Sequence, residues 1–267
     1  MRSHLIWNLD LILTDSFENV LTNSEVIFDP SIHQSHPVSS GHIKRSFAIA
    51  SMTSTAFSRI VPVTITSDLM CPWCWVGLRK LQQASEEASI GLKIVWKPFL
   101  LRPDHPLQGV PKGGTPQSRV PGHLKAAGKA VGIDFTGLTD STPNTIDFHA
   151  VMKYLLDAGV DQTPFQEAVF RAYFTQGIFP DHDALLKCAE SVGVQEQVKS
   201  VFEQTEVLVE YRREVVAEAR DASMKGIRGV PSFTFGDDAR PAFSGAQAVE
   251  TFVSHLEKHA GTAVDAS

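Results

Sequence analysis

The sequence predicts an α/β domain split by a large all-helical insertion and preceded by a disordered segment. Three observations carry that expectation. Residues 61–99 alternate strand, helix and strand; from Arg102 a Pro- and Gly-rich loop leads into a long helical stretch; and strand signals return at "GVPSFTFG" near the C-terminal end. Neither β-rich end has enough strands to close a sheet alone, so the two are read as parts of one domain. The expected divisions are a tail at 1–60, the first part of the α/β domain at 61–101, a loop and helical insertion at 102–225, the second part at 226–260 and a disordered end at 261–267.

The tail includes "DPSIHQSHPVSSGHIKRSFAIASMTSTAFSRI", rich in Ser, His and Thr and without a sustained apolar period. Between Ser31 and Ile60 it has no acidic residue, while Lys44, Arg45 and Arg59 sit among Ser, Ala and Phe, the composition of a mitochondrial targeting peptide. The acidic residues between positions 10 and 29 count against that, and an accessory tail or a true start at Met52 is the preferred reading.

Order begins at "VPVTITS", 61–67, whose β-branched run reads as a buried strand. Pro72 opens a helix with Val76, Leu78, Leu81 and Ala84 near helical spacing, ending around Ala88, and "GLKIVWKPF" is a second strand. Together they begin a βαβ unit. In the insertion, "TPFQEAVFRAYFTQG" puts Phe165, Val169, Phe170, Tyr173 and Phe174 on one helix face, with Thr163 as the expected cap. "DHDALLKCAESVG" is a helix ending at Gly193, and one longer helix is expected from Gln195 to about Met224. Glu206, Glu210, Glu214 and Glu218 recur every four residues there; they read as a solvated face balanced by Arg212, Arg213 and Arg220 rather than as a ligand strip. After "GVPSFTFG" and "RPAFSG", the last helix is "AQAVETFVSHLEKH", with Val249, Phe252, Val253 and Leu256 on its apolar side.

Charge narrows the partners. The 267 residues carry 24 Lys and Arg against 30 Asp and Glu, a net charge of -6. This gives no general attraction to phosphate backbones or acidic lipid, so neither nucleic acid nor membrane is expected as a partner. No apolar run approaches the ~20 residues of a membrane span. The opening "MRSHLIWNLDLILTDSF" is interrupted by Asp10 and has no small-residue cleavage site, so no signal peptide is expected. The reading is a cytoplasmic protein, with a mitochondrial one as the alternative.

Three cysteines are too few for a secreted disulfide framework. Cys71 and Cys74, in "SDLMCPWCWVG", therefore need a chemical explanation. A structural zinc site takes four ligands, yet Cys188 stands alone and none of the ten histidines falls in a pair at knuckle spacing after Cys74, so no metal is expected. A structural disulfide between them would close a very small loop and remove little chain entropy. Redox chemistry fits better. At the start of a helix, unpaired backbone N–H groups and the macrodipole favour an anion at Cys71, and such placement lowers a thiol pKa from ~8.5 into the range ~3.5–7.5. Cys71 is then the nucleophile, and Cys74, one turn inward, resolves the mixed disulfide. Pro72 starts the helix without wasting a donor, and Trp73 covers the pair with apolar surface. Cys188 reads as a small buried hydrophobe.

"SDLMCPWCWVGLRKL", "TPNTIDFHAVMKYL", "FQEAVFRAYFTQG" and "GIRGVPSFTFG", in this order and spacing, resemble the FrnE-like branch of the DsbA family of thioredoxin-fold proteins. The resemblance spans roughly Val61 to His259. It implies a thioredoxin-like fold interrupted by a helical domain, Cys71 and Cys74 as the redox pair, and Pro231 as a cis proline opposite them. The backbone of Val230 is then free to pair with a bound peptide. It also implies that Asn144, Thr145 and His149 face the active-site cleft, with a capping or packing role as the competing reading for His149. The implied partners are proteins or small molecules that carry a disulfide or dithiol. The Pro-Trp dipeptide between the cysteines departs from the Pro-His of strongly oxidising relatives, which leaves the potential open over ~150 mV, or about 7 kcal/mol for two electrons.

The same superfamily holds kappa-class glutathione transferases and 2-hydroxychromene-2-carboxylate isomerases, in which the first cysteine position is typically serine. Glutathione as co-substrate, with Trp73 and Trp75 suited to an aromatic ligand, is thus the alternative enzyme reading. A non-catalytic binding module is a third class, against which the intact C-x-x-C, Val230 and Pro231 count. No resident cofactor is expected.

Overall fold

The computed structural model describes residues 57–261; the expected tail up to residue 56 and residues 262–267 lie outside the described residues. The first ordered strand, β1 (Ile60–Ser67), buries Val61, Val63 and Ile65 on alternate positions, then Thr66 and Ser67. After α1 (Pro72–Ala88) the chain returns as β2 (Gly91–Pro98), parallel to β1 from Ile60↔Gly91 to Ser67↔Pro98. On its other side β1 pairs antiparallel with β5 (Ser232–Phe235), which pairs with β6 (Phe243–Ser244), giving a four-stranded mixed sheet in the order β2-β1-β5-β6. The two β-rich ends of the sequence thus share one sheet, as expected for a thioredoxin-like fold, and β1 and β5 are its inner strands. That position suits the short β-branched run of β1.

α1 buries Cys74 through Leu78, Leu81 and Ala84. A Cβ added at Gly77 would lie 3.0 Å from the Phe233 ring and 3.1 Å from Pro231, so the missing side chain lets α1 settle against the entry to β5. The last helix, α9 (Val249–Ala260), packs beside α1 and sends Phe252 edge-on to Phe233 and Phe243, at centroid distances of 4.9 and 5.0 Å.

Between β2 and β5 lies the helical region. A two-residue ribbon, β3 (Val110–Pro111) with β4 (Ser141–Thr142), brackets α2 (Pro116–Arg119) and α3 (Gly122–Ala130). Then follow α4 (Ile146–Asp157), α5 (Thr163–Phe174), α6 (His182–Ser191), α7 (Gln195–Glu203) and α8 (Thr205–Met224). Both α4 and α8 reach β2, and Trp96 fastens that strand to α5 by donating from its backbone N–H to Gln162 Oε1 at 2.9 Å and from Nε1 to Thr163 Oγ1 at 3.1 Å. Among the described residues no helix is long and apolar enough to cross a membrane.

Three expectations need correction. Thr163 is the first helical residue rather than the cap: its hydroxyl serves Trp96, and Asp161 Oδ1 accepts its N–H at 2.9 Å. The single helix from Gln195 to Met224 is two, broken at Gln204, whose backbone is extended (φ -107°, ψ 90°). A straight helix of that length would run about 45 Å; the turn brings α7 against α4 and α6 and buries Val198 and Val201. The glutamate strip is not simply solvated. Glu214 and Glu218 both pair with Lys153 of α4, at 2.9 and 3.3 Å, and Arg212 turns to Asp147 instead of balancing them.

Candidate active site

The chain leaves β1 at Ser67, turns through Asp68 to Met70 and enters α1 with Cys71 in the N-cap position. The turn is closed by the Cys71 N–H donating to the Asp68 carbonyl at 3.0 Å, and the first helical turn by the Cys74 N–H donating to the Cys71 carbonyl at 3.0 Å. No side chain caps this helix. Its free amides are therefore available to the Cys71 sulfur, which is 7% exposed, while Cys74 is fully buried at 0%.

This arrangement drives the two thiols apart. A hydrogen bond from the Cys74 thiol lowers the Cys71 pKa most; burial opposes it, the backbone N–H groups of Cys74 and Trp73 add to it, and the negative charge of Asp68 opposes it again. The net direction is down. Cys74 is pushed well up by burial, by its donation to Cys71 and by the charge on Cys71, with the Ser67 side chain and the Asp68 backbone pulling weakly the other way.

Opposite α1, the Val230–Pro231 peptide is cis and Pro231 is buried. The Cys71 thiol donates to the Val230 carbonyl at 3.3 Å, so the segment 159 residues downstream meets Cys71 directly. Pro72 and Trp73 are half-buried beside the pair, with the Trp73 ring parallel to that of His123 in α3 at 6.1 Å.

Other expected site residues sit elsewhere. Trp75, expected at the ligand surface, is 3% exposed and packs among Phe135, Phe170 and Phe174; it joins α1 to the helical region instead. The reason is helical phase: Trp75 lies on the same buried face as Leu78. Asn144 spends both ends of its amide on the backbone, Nδ2 donating to the His105 carbonyl at 2.5 Å and Oδ1 accepting from the Ile146 N–H at 2.9 Å. Thr145 is buried at the N-cap of α4 without a side-chain cap bond. His149 is also buried, with Nε2 3.7 Å from Asp68 Oδ1 and no hydrogen bond to it. Of the three, His149 comes near the cysteines through Asp68, while Asn144 and Thr145 organise the start of α4.

Sequence reasoning missed Asp68. It is completely buried, and its Oδ2 accepts from the Leu101 N–H at 2.7 Å, its Oδ1 from the Met70 N–H at 3.3 Å. It thereby joins the end of β1 to the chain beyond β2 while placing a charge near Cys71. The available signal was an acidic residue at the end of a buried β-branched strand, three positions before the first cysteine. Cys188, read as buried, is half-buried on α6, and burial raises its thiol pKa.

Residues 62–257 match the DSBA-like thioredoxin domain. The chain belongs to that family. Within it, this member is similar to the uncharacterized protein YwbO of Bacillus subtilis, 26% identical over 208 residues that cover 74% of this chain and 98% of YwbO. A probable DsbA oxidoreductase of Streptomyces coelicolor superposes with a TM-score of 0.62 at 25% identity, over 78% of this chain and 93% of that one. Two more distant structures share the fold. The cytosolic disulfide reductase DsbM of Pseudomonas aeruginosa, solved with GSH, gives a TM-score of 0.55 at 17% identity over 74% of this chain and 98% of its own. A 2-hydroxychromene-2-carboxylate isomerase gives 0.52 at 15% identity over 77% and 99%. The DSBA-like membership makes this chain a DsbA-like member of a thiol-disulfide oxidoreductase family.

Proposed function

We propose that the chain catalyses thiol-disulfide exchange with Cys71 as the attacking sulfur and Cys74 as the resolving one. The observation that carries this is the Cys71 sulfur at the uncapped start of α1, one turn from the fully buried Cys74 and in contact with the Val230 carbonyl at 3.3 Å. A thiolate is the species that attacks a disulfide, and a neighbour that gives up its proton only afterwards orders the two steps. The Cys71 thiolate attacks a substrate disulfide, forming a mixed disulfide and releasing one substrate thiolate. Cys74 then loses its proton, attacks the Cys71 sulfur and releases the second. Two electrons have passed to the substrate; the reverse sequence oxidises a substrate dithiol. Once Cys71 is a thiolate it no longer donates to Val230, and that carbonyl is free to accept an N–H from an extended peptide substrate.

The test is the redox equilibrium of the Cys71–Cys74 pair in glutathione buffers, read by tryptophan fluorescence because Trp73 lies between the sulfurs in sequence, with Cys71→Ser as control. A reversible two-electron transition, tenfold in the equilibrium constant per ~30 mV, is expected. Absence of a transition, with saturable glutathione binding that survives in Cys71→Ser, would replace exchange with a glutathione-dependent transferase or isomerase.

A further inference from the structure

Beside the cysteine pair a cavity of about 200 Å³ opens, and Met70 and Pro72, the residues on either side of Cys71, form part of its wall. Its remaining surface comes from the helical region. Val120, Leu124, Phe135 and Phe174 make it apolar, and one cationic side chain, Lys112, enters it beside Tyr173. The Lys112 ammonium donates to the Tyr173 hydroxyl at 2.9 Å and lies 4.7 Å from the centre of that ring. An ammonium has three donors, and among the described residues no carboxylate reaches ion-pair distance of it. Arg119 also borders the cavity, but its guanidinium is spent on backbone carbonyls, those of Gly113 at 3.2 Å, Gly114 at 3.1 Å, Gly137 and Thr139 at 3.3 Å, and Lys112 at 3.5 Å. It contributes charge without a free donor. Around Lys112 stand Arg119 of α2, Asp140 ahead of β4 and Tyr173 of α5; burial and the Arg119 charge pull its pKa down to about 8, with Asp140 pushing back. A cation held in a half-apolar pocket with spare donors and no carboxylate at ion-pair distance gains most from an anion that brings its own apolar body.

We infer that this cavity binds the ring and carboxylate of a small aromatic monoacid, and that the small-molecule substrates of Cys71 are single-ring thiols or disulfides bearing such a group. A cavity of roughly 150 Å³ is enough for benzene, whereas drug-sized ligands take about 300 Å³ or more, so one ring fills this space. A single free ammonium matches one negative charge. A phosphate dianion would ask for donors that Arg119 no longer has. The inference rests on the exchange chemistry proposed for Cys71, since the cavity matters to catalysis only if that sulfur is the nucleophile.

The experiment uses the full chain with Cys188→Ala to leave only the paired thiols. Calorimetric titration with benzoate and with its uncharged analogue benzamide measures the site directly, and Lys112→Met and Lys112→Arg separate charge from shape. Benzoate is expected to bind about tenfold or more tightly than benzamide, to lose about tenfold in Lys112→Met and to change less than about threefold in Lys112→Arg. Benzoate affinity is expected to fall as pH rises through about 8, where Lys112 loses its proton. Equal affinities for the two probes, no benzoate binding, or Lys112→Met binding benzoate as the parent does would overturn the inference. In parallel, an uncharged dipyridyl disulfide should react with the parent and Lys112→Met at the same rate, while a dibenzoate disulfide should react about tenfold more slowly with Lys112→Met. Reaction with the dipyridyl probe but no benzoate binding removes the cavity's role and leaves exchange standing. Benzoate binding with sulfurs inert to both probes leaves the cavity and removes exchange.

Discussion

At Cys71 the chemistry is set by competition among a few neighbours. The Cys74 thiol and the amides of Cys74 and Trp73 favour the thiolate, while burial and the Asp68 charge oppose it. Asp68 is the one opponent that a single substitution can silence. Asp68→Asn should move the Cys71 alkylation midpoint, followed with iodoacetamide across pH, lower than in the parent, because the Asp68 charge is one of the two influences that oppose the lowering of the Cys71 pKa. A midpoint moving upward would mean that the carboxylate acts through the Met70 and Leu101 hydrogen bonds that shape the turn rather than through its charge. The cysteines were legible because their chemistry follows from local spacing and a helix start. Asp68 was not, because its importance depends on the chain folding back after β2 to bring the Leu101 amide to it. Trp75 was misassigned for a related reason: an aromatic beside a reactive cysteine looks the same in sequence whether it faces a ligand or the core.

α1 is useful only if it sits at the right depth on β5. Gly77 allows that approach, with Phe233 and Pro231 near 3 Å from where a Cβ would stand. Gly77→Val, with an isopropyl group added at this contact and a β-branched residue in the helix, should cost about 1–3 kcal/mol in urea unfolding of the reduced protein. It should also slow reaction of Cys71 with a neutral disulfide, because Pro231 and Val230 must retreat from the sulfur. Unchanged stability would show that α1 can slide without loss. Helix periodicity in the sequence identified α1, α5 and α9 well, since each has a clear apolar face. It passed through Gln204, where neither Gly nor Pro marks the break and the turn is imposed by what α7 packs against.

Across the molecule, one carboxylate joins several helices of the insertion. Asp147 of α4 accepts from Arg212 Nε of α8 at 2.5 Å and from Nη2 at 2.7 Å, and meets His182 Nε2 of α6 at 2.8 Å. The His182 ring in turn stacks on Phe202 of α7 at 3.9 Å. Burial works against the charge on Asp147, but the hydrogen bonds and charges of Arg212 and His182 prevail and hold its pKa below the ordinary carboxylate value. A folded-state pKa lowered in this way gives stability that is present above the unfolded value of ~3.9 and is lost as pH falls through the folded one. Asp147→Asn should therefore destabilise the protein by about 2–3 kcal/mol at pH ~7, less than a fully buried pair because Arg212 is partly exposed, and the difference from the parent should shrink toward pH ~3. Urea unfolding at both pH values measures it. An equal difference at the two would assign the loss to packing rather than to charge.

The sequence by itself determined the mixed α/β core, the split of that core around a helical region, and the two cysteines at a helix start. Each of these follows from patterns a few residues long: alternation for β1, helical spacing after Pro72, and a Cys pair at one-turn separation. Only the tertiary structure decided which side chains meet the sulfurs. Val230 arrives from 159 residues away, Asp68 gains its role from Leu101, Trp75 turns inward, and Lys112 enters a cavity whose walls come from both the start of α1 and the insertion. The physical reason is range. Strand and helix preferences act between near neighbours, whereas a charge, a hydrogen bond or a cavity wall acts between residues that only the packed chain brings together.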